Sequence, residues 1–578
     1  MPDQQDPIKA AYYPESSELP DPPGDLRGSV AVCLSGGGSR ACTAAMGQLR
    51  GLHHLNLLNK NKIKCISSVS GGTWASILYT FRPPVIDADT FLGGVVEDPE
   101  RLTWDDHSTQ NKAEVLDYLD YYNLGMVPTR LGIRALLKTM IELYAKYKYP
   151  ASLLWIRTIG KLVLEPFGLS AMDAKGNPLE YMGYTQDWLQ ENPIKLNPGR
   201  LSIGDFNAVP DDPLRPFLIT NTAVFSDSST LNPFVISPVY EGIFNTLHSG
   251  EGIFGGGLLD TYAFGSRRPQ KLTGNQVSVQ QMPTRACLAD AAGLSSAFFA
   301  SILEGKILEA NGDIFSMHEF KDLGFLEKDF HELSKTVADI DDLIPEFAYW
   351  PVGDLSTEDP ETRTVKFADG GNLENSGIMP LLQRSCTSII SFINSMTPLE
   401  ENDQGLTVDS VLPPLFGYCP SKKGGAYKRY ADMTENELGK LSNEDQIYRD
   451  NQVFPSTDFY PLLNQLAAAS KGANGVLGSE PVLCVQNLTT LENPKFGIAA
   501  GLSTKVLWVY NNPVESWRRK LTRQIRWMMN MRILDYNDFP NYNTITKIHL
   551  DARQVNLLAH LSCWNILQNE ELILSMWD

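Results

Sequence analysis

The sequence predicts an α/β fold with a central, mostly parallel sheet and a helical cap insertion. Three observations lead there. The apolar run Val30-Ala31-Val32-Cys33-Leu34 enters a glycine loop and then a helix-forming stretch. A second strand, Ile63 to Val69, runs directly into the helix-forming segment Gly71 to Phe81. Strand–loop–helix–strand–turn–helix is how a parallel sheet with crossover helices begins. Between residues 82 and 200 the pattern changes to dense aromatics and aliphatics, among them Tyr118, Tyr121, Leu136, Leu137 and Ile141, which read as an inserted helical cap.

Each element has a local reason. Residues 1–28 read as a flexible arm, punctuated by Pro20, Pro22, Pro23 and Gly24. The first strand is short, continuous and apolar, as in a buried parallel sheet. Arg40 to Leu58 carries Ala41, Ala44, Ala45, Leu49 and Leu52 at helical spacing. Lys64 interrupts the second strand's apolar pattern. Phe217-Leu218-Ile219-Thr220 returns to strand, and residues 226–285, rich in Gly, Pro, Asn and Ser, read as long loops. Ala289 to Leu308 reads as a helix, Val365 to Ala368 as a strand ending in Asp369-Gly370-Gly371, and Ser388 to Phe392 as a further strand. Residues 400–480 read as polar and irregular, and residues 29–578 as one catalytic domain.

Composition bounds the partners. Sixty-eight acidic residues against 49 basic ones give a net charge of −19, which excludes nucleic acid as the main partner and opposes global attraction to anionic membranes. No run of 18 apolar residues occurs, and the N-terminus lacks the basic start and apolar stretch of a signal peptide, so a cytoplasmic or peripheral-membrane location is expected. The eight cysteines share no metal-ligand spacing and read as reduced core residues. With no EF-hand loop or zinc spacing, no metal, no cofactor and no calcium dependence are expected.

Three features carry chemistry. Ser35-Gly36-Gly37-Gly38-Ser39-Arg40 lies between a strand and a helix, where bare N–H groups and a helix N-terminus suit an oxyanion or a phosphate; alone it reads equally as a tight turn. Ser68-Val69-Ser70-Gly71-Gly72-Thr73-Trp74 joins strand to helix with small residues around Ser70, as a nucleophile elbow requires, although Ser68 stands where a glycine is usual. The plain alternative is a serine-rich helix cap. Asp369-Gly370-Gly371 places a carboxylate at a strand end, or makes a common Asp-Gly turn. Together they supply a nucleophile, a base and oxyanion donors, the set that acyl transfer needs.

These three motifs, in this order, resemble the patatin-like and cytosolic phospholipase A2 superfamily. Trp74, the run Ile236-Ser237-Pro238-Val239-Tyr240-Glu241 with Phe264-Gly265-Ser266, and Gly293 to Phe298 are similar to the cytosolic phospholipase side; Asp-Gly-Gly is closer to the patatin form. The resemblance covers about Ser29 to Phe392. It implies a three-layer α/β fold and a Ser–Asp dyad, with Ser70 as nucleophile and Asp369 as base. It also implies oxyanion donors from Gly36, Gly37, Gly38 and Gly71, and Arg40 placed to meet a lipid phosphate, with Trp74 beside the substrate. The reaction implied is hydrolysis of fatty-acyl esters of phospholipids or other glycerolipids. Transacylation through the same acyl-enzyme and an inactive lipid-binding protein are the alternatives. The family's calcium-binding membrane domain does not fit before motifs that begin within forty residues of Met1. Histidine is the rival base; His53, His54, His107, His248, His318, His331, His549 and His560 lie in no motif.

The expected partner is a lipid substrate at a transient membrane or micelle surface. Two segments are candidates for meeting it: Trp155 to Leu164 in the cap, and the basic, aromatic stretch Trp517 to Met529. A surface helix covered by acidic neighbours is the alternative for the second.

Overall fold

The computed structural model describes residues 7–15, 17, 19–20, 24–104, 109–227, 229–249, 252–267, 272–273, 275–280, 285–310, 326–339, 343–354, 362–403, 405–422, 426–531, 536–545 and 547–578. His107 and His318 lie outside the described residues. The principal strands in the first half are β1 (Ile8–Pro14), β2 (Val30–Leu34), β3 (Ile63–Val69), β4 (Phe217–Phe225), β5 (Leu231–Ile236), β6 (Tyr240–Ser249), β7 (Gly252–Asp260) and β8 (Gln276–Val279). Those that follow are β9 (Glu346–Tyr349), β10 (Arg363–Asp369), β11 (Ser388–Ile393), β12 (Val482–Thr489) and β13 (Ser503–Tyr510).

The chain divides into two compact units. One comprises Asp25–Ser76, Val85–Thr129 and Glu374–Asp578; the other comprises Met1–Gly24, Ile77–Pro84 and Arg130–Leu373. The first is built on parallel pairing. β2 lies between β3 and β11, and β11 pairs with β13, all in parallel; β12 closes that edge antiparallel to β13. β2 is buried at every position, as a strand covered on both faces must be. Helix α1 (Gly38–His54) packs on α10 (Ala552–Leu567) so closely that a Cβ on Gly47 would lie 2.1 Å from the Ala559 carbonyl oxygen. A capping box of Asp551 and Gln554 starts α10.

The second unit is an antiparallel meander. β4 pairs with β5, β5 with β6 and β6 with β7; β1 runs against both β7 and β8. β10 lies antiparallel to β4 and to β9. This sheet corrects two expectations. Residues 8–14, read as part of a flexible arm, form an edge-bridging strand whose Ala11 amide and Tyr13 hydroxyl both donate to Asp260, at 2.7 and 3.0 Å. Residues 226–285, read as loops, contribute β5 to β8. Glycine hid them: Gly242, Gly255, Gly256 and Gly257 take positive φ around a register shift between Ile243 and Thr246, and such a bulge erases the two-residue alternation.

The stretch expected as a helical cap is shared between the units, 85–129 in one and 130–200 in the other. Its helices α3 (Ile133–Tyr147) and α4 (Ala151–Ile159) are present, but α4 is core. Trp155, Ile156 and Ile159 are fully buried, and Trp155 Nε1 donates to the Gly293 carbonyl at 2.8 Å. The Trp155–Leu164 segment therefore packs inward and presents no lipid-facing stripe. The helix read over Ala289 to Leu308 is two, α5 (Leu288–Ser295) and α6 (Phe298–Glu309), bent by 74°. By length and composition alone this bent pair passes as a broken membrane span, whereas no single described helix is long and apolar enough to cross a membrane. In the irregular 400–480 stretch, α7 (Phe459–Lys471) buries Phe459, Leu462, Leu463 and Leu466 on one side.

Candidate functional site

Ser70 sits at the turn between β3 and helix α2 (Gly71–Phe81), with φ of +50°. Left-handed backbone is costly for a residue with a Cβ, and such strain collects where a side chain must be aimed. The turn is held from both sides. The Thr73 and Trp74 amides donate to the Ser70 carbonyl at 2.9 and 3.3 Å, starting α2. Behind it, Ser68 Oγ lies 2.7 Å from Ser76 Oγ and accepts from Thr73 Oγ1 at 3.1 Å. Ser68, where a nucleophile elbow usually has glycine, thus has its hydroxyl absorbed into a buried network.

The glycines are explained by close approach. A Cβ on Gly71 would lie 2.0 Å from the Gly38 carbonyl oxygen, and one on Gly72 would lie 2.6 Å from that of Leu34. The glycine loop and the elbow are in backbone contact, and only glycine permits it. A Cβ on Gly36 would fall 2.2 Å from Asn375 Oδ1 and 3.0 Å from Ser70 Cβ. Gly36 also donates its amide to the Asn375 carbonyl at 3.1 Å. That donor is occupied, so Gly36 packs against the serine instead of offering it an N–H. Among the described residues no protein acceptor takes the Gly37, Gly38 or Gly71 amide. Gly37 and Gly38 have φ of +135° and +55°, and Gly38 and Gly71 open α1 and α2, where helix dipoles add positive potential.

The loop is braced from behind by the chain around residues 540–544. Thr544 Oγ1 donates to the Gly37 carbonyl at 2.6 Å. A peptide's C=O and the following N–H point opposite ways, so fixing this carbonyl also fixes the Gly38 amide. Arg40 belongs to the same brace. It is 5% exposed, and its Nε and Nη1 donate to the carbonyls of Asn394 and Tyr542 at 3.0 and 2.6 Å. Burial lowers its pKa to about 10. The remaining nitrogen, Nη2, lies against the glycine loop, where a Cβ on Gly37 would fall 2.3 Å from it. Trp74 is 1% exposed and Ser70 itself 5%, so the whole elbow is buried.

Asp369 belongs to the antiparallel unit and ends β10 opposite Thr222 of β4. It is 3% exposed, and its Oδ1 accepts from the Gly371 amide at 2.7 Å. Asp-Gly-Gly is therefore both things the sequence allowed, a turn cap and a buried carboxylate at a strand end. Phe367, two residues earlier, packs edge-on to Phe234 at 5.1 Å.

His560 is buried, its Nδ1 lies 3.2 Å from Arg50 Nη1, and desolvation beside that cation pushes its pKa well below the ordinary value. It is a neutral core histidine. His53 and His54 lie 3.6 Å from Asp89 and Glu97. Among the described residues, no group of three or more His, Cys, Asp or Glu side chains could hold a metal ion. Asn375 and Thr544 were not found from sequence. Asn375 follows Asp369 by six residues, which gave a possible signal; Thr544 meets Gly37 from 507 residues away and gave none.

No family model matches the chain, and no curated protein matches it. Among solved structures, human GIVD cytosolic phospholipase A2 is similar, with a TM-score of 0.45 and 14% identity over 95% of this chain and 60% of that one. The same protein in complex with methyl gamma-linolenyl fluorophosphonate and terbium chloride gives 0.45 and 12% over 95% and 58%. With the fluorophosphonate alone the values are 0.42 and 13% over 95% and 59%. The chain spans about three-fifths of the length of these structures, to which its mixed α/β fold is similar.

Proposed function

We propose that this chain is a serine acyl hydrolase acting on fatty-acyl esters of phospholipids or other glycerolipids. The observation that carries the reading is Ser70 at φ +50° on a strand–turn–helix elbow, with a glycine loop in backbone contact beside it. Ser70 Oγ attacks the ester carbonyl while Asp369 takes its proton. The Gly37, Gly38 and Gly71 amides stabilise the oxyanion. Asp369 then returns the proton to the departing alcohol, leaving an acyl-serine that water hydrolyses by the same steps. The assignment of Asp369 rests on motif order and on its buried position at a strand end. A lipid surface in the cytoplasm or at the membrane periphery belongs to the same reading, as does chemistry without a metal or cofactor.

The test is kinetic. Ser70→Ala and Asp369→Ala should each abolish release of fatty acid from mixed glycerolipids, whereas alanine at any histidine should keep most of it. Activity that survives Asp369→Ala but is lost with one histidine would replace the dyad by a triad. Adding a primary alcohol and analysing products separates hydrolysis from transacylation, because only the latter gives a new ester.

A further inference from the structure

The segment Trp517 to Met529 folds with its apolar and basic residues separated. It forms two short helices, α8 (Glu515–Lys520) and α9 (Arg523–Met529). Trp517, Leu521, Ile525 and Met529 are buried in one cluster with Trp104, Leu561 and Trp564. Trp517 stacks on Phe539 at 5.8 Å, and Arg518 donates to Asn530, tying α8 to the end of α9. The segment is thus a fixed part of the fold, and the residues it leaves outside have fixed positions.

Those residues are Arg519, Lys520, Arg523, Gln524 and Trp527. Arg523 and Trp527 are four apart on α9 and share a face. Trp527 is 60% exposed, although its sequence neighbours Ile525 and Met529 found places in the core. From Glu515 to Asn530 the chain has five basic residues and one acidic, against −19 for the whole. The one acid, Glu515, is engaged by Arg518 and Arg519 at 3.5 and 3.1 Å. Among the described residues, no carboxylate pairs with Lys520 or Arg523.

An exposed indole beside uncompensated cations matches the lipid–water boundary. The ring sits among headgroups and glycerol, and the cations meet anionic headgroups. The negative charge on the rest of the molecule repels an anionic surface, so a local positive face also sets the orientation of approach. We propose that the exposed face of α8 and α9 is the surface by which this protein docks on anionic phospholipid bilayers. The proposal rests on the lipid-ester reading only for the purpose of docking, not for the contact itself.

Vesicle sedimentation tests it without reading chemistry. The full chain carrying Ser70→Ala, which leaves vesicle lipids intact, is mixed with sucrose-loaded vesicles of phosphatidylcholine alone or with about one-third phosphatidylserine. Binding to the mixed vesicles should exceed binding to the neutral ones and weaken as salt rises from about 0.1 to 0.5 M. Lys520→Gln with Arg523→Gln should weaken it about 25-fold, roughly fivefold per charge. Trp527→Ala should weaken it about tenfold through lost apolar contact. Equal binding to both vesicle types, or wild-type binding by the Lys520→Gln/Arg523→Gln/Trp527→Ala variant, overturns the proposal. In the Ser70 background, turnover of a soluble monomeric ester should be untouched by these surface changes. Docking without any esterase activity would sink the hydrolase reading and leave the docking surface standing.

Discussion

Ser70→Gly and Ser70→Ala remove the same hydroxyl and differ in backbone freedom and in one buried methyl group. At φ of +50° a residue with a Cβ carries strain of about 1–2 kcal/mol that glycine does not. Glycine gives back about 0.4–1 kcal/mol through the greater freedom of the unfolded chain. The buried methyl that glycine lacks offsets about 0.8 kcal/mol more, so Ser70→Gly should be at least as stable as Ser70→Ala, with both inactive. At an ordinary helix or strand position the order is reversed by about 0.5–1 kcal/mol. Paired urea titrations, following the transition of the unit that contains Ser70, measure the difference directly. A glycine variant less stable than the alanine variant would mean that Ser70 is unstrained, and the elbow argument would fall with it.

Four further outcomes follow from the same geometry. Gly71→Ala puts a methyl group 2.0 Å from the Gly38 carbonyl oxygen, so loop and elbow must part; activity on a soluble ester should fall at least 100-fold and stability by about 1–3 kcal/mol. Gly305→Ala, in a helix with nothing within 4 Å, should instead gain about 0.5–1 kcal/mol in the same assays. Arg40→Met strands two backbone carbonyls, so it should lower thermal stability and activity on every ester alike; a loss confined to KM for phospholipids would instead favour the phosphate-binding role. Burial raises the pKa of Asp260 to about 6 despite hydrogen bonds from Ala11 and Tyr13. A raised folded-state value stabilises below the unfolded pKa and is lost as pH climbs, so the antiparallel unit should weaken by roughly 3 kcal/mol between about pH 4 and 7, and Asp260→Asn should flatten that slope in melts across this range.

The parallel unit was the more legible in sequence. Its first strands are short, apolar and bounded by glycine, and the helix read over Gly71 to Phe81 has those bounds in the structure. The antiparallel unit was not. Bulged, glycine-rich strands lose the alternation that marks a strand, and β1 is recognisable only through its distant pairing with β7 and β8. Within the candidate site, local motifs single out Ser70, the glycine loop and Asp369 as the proposed chemical groups. Roles that depend on what lies behind the motif are not legible in this way. Arg40 donates to the carbonyls of Asn394 and Tyr542, and Gly36 gives its amide to Asn375. No local pattern announces such partners, which come from more than 300 residues away.

An activated Ser70 facing a formed oxyanion site should react with an electrophile built like its substrate. The most direct measurement is covalent labelling of the full chain with an alkyl fluorophosphonate, followed by peptide mass spectrometry. A single adduct on the peptide containing Ser70, absent in Ser70→Ala and stoichiometric with loss of esterase activity, is the predicted result. An adduct on a different serine, or ester hydrolysis that persists in Ser70→Ala, would contradict the account.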